Sequence, residues 1–72
     1  MRQTVFRELD MVQASRRISD EIDRGCVGTI VMVLDPGKDY IVEFFDDDNY
    51  TVGVPNVRSS DIEPWRGNKK AG

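Results

Sequence analysis

The sequence predicts an all-β domain: a small, strongly bent antiparallel barrel of five strands, with a long loop or short helical turn after the first strand. Three observations predict it. Apolar residues fall in short runs rich in Val, Ile, Tyr and Phe, and clusters of Asp, Asn, Gly and Pro separate those runs. Only residues 14–25 carry helical spacing, and there Ile18 and Ile22 are its sole apolar support. The chain has 72 residues, one domain's length and too short for a doubly wound sheet.

Element by element, an arm containing Val5 and Phe6 leads into a first strand over Leu9 to Gln13. Residues 14–25 then read as a loop or single helical turn lying over one end of the core, with Gly25 as its stop. Val27 to Leu34 is β-branched and apolar almost throughout, which makes it the clearest strand. Asp35-Pro36-Gly37-Lys38-Asp39 turns the chain into Tyr40 to Phe45, the second arm of a hairpin. Asp46 to Asn49 turns it again. Tyr50 to Val54 forms a further strand that Pro55 closes, because proline lacks the N–H an interior ladder needs. Ser59-Ser60-Asp61 reads as one helical turn before a last brief strand at Ile62-Glu63, and the barrel this order describes is of the SH3-like kind. Residues 1–64 make up the domain, and 65–72, with Arg66, Lys69 and Lys70 among Gly and Asn, read as a basic, disordered tail.

Composition excludes several chemistries. The chain has no histidine, which removes the commonest general base and zinc ligand, so a hydrolase is disfavoured and no cofactor or metal is expected. Cys26 is the only cysteine; it forms no intramolecular disulfide and reads as a small hydrophobe in a reducing cytoplasm. No apolar run is long enough to span a membrane or act as a signal peptide.

The net charge of -3 is unevenly spread. Five arginines balance five acids over residues 1–25, whereas residues 26–64 set Lys38 and Arg58 against eight acids. Such a segment repels nucleic-acid phosphates and steers a basic protein toward itself.

The runs Leu9-Asp10-Met11-Val12, Gly25-Cys26-Val27-Gly28-Thr29-Ile30-Val31, Tyr40-Ile41-Val42-Glu43-Phe44 and Asp61-Ile62, in that order, form a recognisable pattern. Over about residues 5–64 the chain resembles the bacterial domain-of-unknown-function family 4926, whose members carry a Gly-Thr-Ile-Val motif followed by a Tyr-x-Val-Glu-Phe strand. The resemblance implies an SH3-like barrel without an assigned activity, related in shape to ribosomal KOW and Tudor-type modules. The chain departs from the family pattern at Gly53-Val54-Pro55-Asn56-Val57.

Period-two alternation puts Tyr40, Val42 and Phe44 on one side of their strand and Ile41, Glu43 and Phe45 on the other, with Glu43 marking solvent. On the preceding strand the resemblance favours Val27, Thr29, Val31 and Val33 as inward, leaving Ile30, Met32 and Leu34 outward. Ile30, Met32, Ile41 and Phe45, rimmed by Glu43, Asp46, Asp47 and Asp48, then compose an outward partner-binding patch. The alternative is a loop carrying Ile18 and Ile22 that covers this face. Asp46-Asp47-Asp48-Asn49 lacks EF-hand spacing and reads as a hairpin turn. Trp65, beside Pro64, either packs back on the domain or anchors in a partner.

These features predict a non-enzymatic, cytoplasmic protein-binding module, an immunity or antitoxin protein neutralising a basic bacterial toxin domain. The competing expectations are a KOW-like nucleic-acid or ribosome-associated module, using the tail cations, and a structural accessory subunit of an enzyme.

Overall fold

The computed structural model describes residues 5–67. The domain is all-β, with strands β1 (Met11–Ala14), β2 (Val27–Asp35), β3 (Asp39–Phe45), β4 (Thr51–Gly53), β5 (Asn56–Arg58) and β6 (Ile62–Pro64) and a 3₁₀ turn over Ser59–Asp61. All pair antiparallel into one sheet of order β4-β3-β2-β1-β6, with β5 also on β3. The path from β4 to β6 is open, and six strands replace the expected five. The additional strand arises because Pro55 interrupts pairing without ending it. β4 and β5 follow one another along the same edge of β3, opposite Phe44–Phe45 and Asp39–Ile41 respectively. Between them Val42 donates its N–H to the Pro55 carbonyl at 3.2 Å.

Alternation is strict on β3, where Tyr40, Val42 and Phe44 are fully buried. On β2 it is not. Gly28 and Ile30 point inward, opposite Phe44 and Val42; then Met32 pairs with Ile41, so β2 advances two residues while β3 advances one. Val31 is the extra residue of this bulge, and a second irregularity between Val33 and Asp35 leaves Leu34 extra. Both bulged side chains are exposed, Val31 by 39% and Leu34 by 44%. The valine side is therefore not the inward side along the whole strand. Val33, past the bulge, packs against the core, but Ile30 is fully buried and leaves the predicted patch.

Gly28 permits the close approach of β2 and β3. A Cβ there would lie 2.7 Å from Val42 Cγ1 and 2.8 Å from the Glu43 carbonyl oxygen. Under the hairpin turn, the buried Tyr40 hydroxyl accepts N–H bonds from Gly37 at 2.7 Å and Phe6 at 3.2 Å. Gly37, with φ 80°, holds the left-handed backbone that this turn needs. The Phe6 ring meets Tyr40 edge-on at 5.5 Å, tying the N-terminal arm to the core.

Residues 15–25 form no helix. Ser19 and Ile22 bridge as a small hairpin, and Ile22 is buried over Gly53, where an added Cβ would lie 3.0 Å from Ile22 Cδ1. This loop closes on β4, while Met32 remains 48% exposed. Its base is fixed by Ser15, whose N–H bonds the Asp61 carbonyl at 2.9 Å, and by an Arg16–Asp61 ion pair at 2.7 Å. Asp61 also accepts the Arg58 N–H at 3.0 Å, capping the 3₁₀ turn. Burial works to raise the Asp61 carboxyl, but the Arg58 N–H and the Arg16 and Arg58 charges outweigh it and hold it below the usual carboxylate value. Among the described residues no helix is long and apolar enough to cross a membrane.

Candidate protein-binding groove

The outward phase of three strands builds the site. On β1, Val12 and Ala14 point into the core, so Met11 and Gln13 face out. Met11 pairs with Thr29, and Thr29 with Glu43. The Thr29 hydroxyl donates to the Met11 thioether at 3.3 Å, and the Thr51 hydroxyl donates to Glu43 Oε2 at 2.5 Å. A second outward row joins Gln13 to Val27, with the Gln13 amide donating to Glu63 Oε2 at 2.6 Å. Just past β6, Trp65 donates its backbone N–H to the Met11 carbonyl at 3.3 Å, which sets its indole beside these rows.

Met11, Val27, Phe45 and Trp65 line a groove of about 470 Å³ together with Asp46, Asp47 and Asn49. The Asp46 carboxylate is held there by the turn after β3. Asp46 Oδ1 accepts the N–H groups of Asp48 at 2.8 Å and Tyr50 at 2.9 Å, and Asn49 takes a left-handed backbone, φ 68°. Asp46 thus shapes the turn, while Asp47 is left to face solvent beside the groove. Behind Phe45, the Cys26 thiol donates to the Phe45 carbonyl at 3.2 Å. Burial, with the Asp46 and Asp47 charges nearby, pushes this thiol up, keeping it protonated at neutral pH.

The family model described as Domain of unknown function (DUF4926) matches residues 8–64. The chain belongs to the DUF4926 family. Neither the curated proteins nor the solved structures offer a match to it.

Within this DUF4926 domain the residues predicted to form one patch are separated. Phe45, Asp46 and Asp47 come together at the groove, whose lining includes neither Asp48 nor Glu43. Met32 and Ile41, a cross-strand pair, lie toward the far end of the β2–β3 hairpin, and Ile30 lies inside. Met11, Val27 and Trp65 are the residues that sequence reasoning missed as partners of Phe45. One signal for Met11 was available: it is out of phase with Val12 and Ala14, the residues of β1 that are buried. Of the predicted tail, Trp65 lines the groove, while Lys69 and Lys70 lie outside the described residues.

Proposed function

We propose that the domain is a non-enzymatic protein-binding module, an SH3-like barrel acting in a bacterial cytoplasm as an immunity or antitoxin protein that neutralises a basic toxin domain. The observation that carries this reading is the groove of Met11, Val27, Phe45 and Trp65 with Asp46 and Asp47 in its lining. Exposed aromatic and thioether surface beside carboxylates suits a cationic protein surface: apolar contact slows dissociation, aromatic faces attract cations, and the acidic field accelerates encounter. The barrel form is supported by the single edge of β3 that carries β4 and β5 in turn, and by the 3₁₀ turn before the last strand.

The test is genetic and direct. The product of the gene adjacent to this one, expressed alone, arrests growth; co-expression of this chain relieves the arrest, and Phe45→Ala abolishes the relief while circular dichroism shows the domain folded. A neighbouring product that is harmless, or is neutralised equally well by Phe45→Ala, sinks the proposal.

A further inference from the structure

The Phe45 groove adjoins a second hollow. About 340 Å³ in volume, it is lined by Glu21, Asp23, Arg24, Gly25 and Cys26, and it shares Phe45, Asp46 and Asp47 with the groove. Its lining holds four acidic residues and a single basic one, Arg24, whose backbone N–H bonds Asp23 Oδ1 at 2.8 Å. Phe45 is thus a ridge with two unlike flanks. On the β1 side lie Met11, Val27 and Trp65, without a charge of their own; on the loop side lie Glu21 and Asp23.

Resting on the binding reading above, we infer that the partner presents an extended segment carrying two side chains across this ridge: an apolar one into the Met11–Trp65 groove, and a lysine or arginine into the Glu21–Asp23 hollow. Charge complementarity selects the second, since an anion or a phosphate there would meet four carboxylates. Apolar lining selects the first, because a cation in that flank loses hydration with only the shared Asp46 and Asp47 to compensate. The spacing follows from the chain that floors both flanks. Val27 lines one and Gly25, a turn residue with φ 90°, the other; two residues apart in the chain, they lie within about 7 Å of each other. An extended partner places side chains i and i+2 on one face at the same interval. The recognised pattern is therefore apolar, any residue, basic.

The probe is a displayed library of random linear peptides, selected on the full chain at low and at physiological salt. Enrichment of apolar–x–Lys/Arg is the expected result. Trp65→Ala then weakens a selected peptide by about tenfold at either salt. Glu21→Gln with Asp23→Asn instead removes the preference for the basic residue and flattens the salt dependence, leaving the apolar preference in place. Selection of sequences lacking either component, selection of nothing, or loss of both preferences together in either variant overturns the inference. The two failures are distinguishable. If Phe45→Ala loses growth rescue but no two-part pattern is selected, the inference falls and the binding reading stands; if the pattern is selected but rescue survives Phe45→Ala, the reverse holds.

Discussion

The two ends of the β2–β3 hairpin both expose apolar side chains, but they do so for different reasons. At the turn end, Val31 and Leu34 are exposed because each is the extra residue of a bulge, and Met32 because the first bulge shifts its pairing to Ile41. Nothing charged lies among them on β2 before Asp35. Bulges twist a strand and disturb its ladder, a common device for keeping an open strand from pairing with another chain. At the other end, Phe45 is flanked by residues of β1 and β2 and by Trp65, and the Asp46 carboxylate is pinned beside it by a hydrogen-bonded turn. Exposure at the first end is a by-product of bending the hairpin. At the second it comes with concavity, aromatic surface and neighbouring carboxylates, the features on which the proposed binding role rests.

Four predictions break or sharpen that contrast. The largest effect tests the bulge itself. Ile30→Ala removes fully buried atoms and costs about 3 kcal/mol, while Met32→Ala, two residues on and half exposed, changes stability by less than about 0.5 kcal/mol. Urea unfolding of both variants decides; equal costs would mean that strict alternation continues through Val31. Next, Tyr40→Phe leaves the N–H groups of Gly37 and Phe6 without their acceptor, a loss of about 2 kcal/mol. Hydrogen exchange should accelerate at those two amides and at the turn end, with the amides around Phe45 much less affected.

A smaller effect concerns the acidic rim, measured on the basic protein partner that the proposed function calls for. Asp47→Asn slows association severalfold at low salt and flattens its salt dependence, with little change in dissociation. Asp46 is the wrong residue for this experiment, since its carboxylate also holds the turn. Stopped-flow mixing at two ionic strengths measures the effect, and a change confined to the dissociation rate would remove steering from the account. The smallest effect is one of pH. Asp61 sits below its ordinary value in the folded state, so it stabilises the fold fully above the unfolded carboxylate value of about 4 and progressively less as pH falls below it. Stability of Asp61→Asn, followed by thermal melts from neutral pH downward, should fall less steeply than that of the parent; parallel curves would show that Asp61 is not the group responsible.

How much of this was legible in the sequence depended on whether the information was local. β3 reads directly, because each of its seven residues alternates without exception and turn residues bound it on both sides. The 3₁₀ turn at Ser59–Asp61 was equally local, and its aspartate is the capping group. β5 was not seen, since Asn56-Val57-Arg58 holds a single apolar residue and follows a proline; it is a strand because β3 offers it a free edge. Ile30 was misplaced for a related reason. Alternation carries a side assignment along a strand only while pairing is regular, and no residue type in Ile30-Val31-Met32 announces a bulge. The groove needed four distant segments, residues 11, 27, 45–49 and 65, so sequence reasoning reached Phe45 and its acidic neighbours but not the wall facing them.

Trp65 is the only tryptophan of the chain, and it lines the groove with 39% of its surface exposed. Selective excitation of indole therefore interrogates the groove and nothing else in the molecule. Docking of a partner that dehydrates this ring moves its emission to shorter wavelength, and the protection of the ring from a soluble quencher rises in step with occupancy. The domain thus carries its own optical titration signal, and the occupied fraction of the groove can be followed in the native chain without any label.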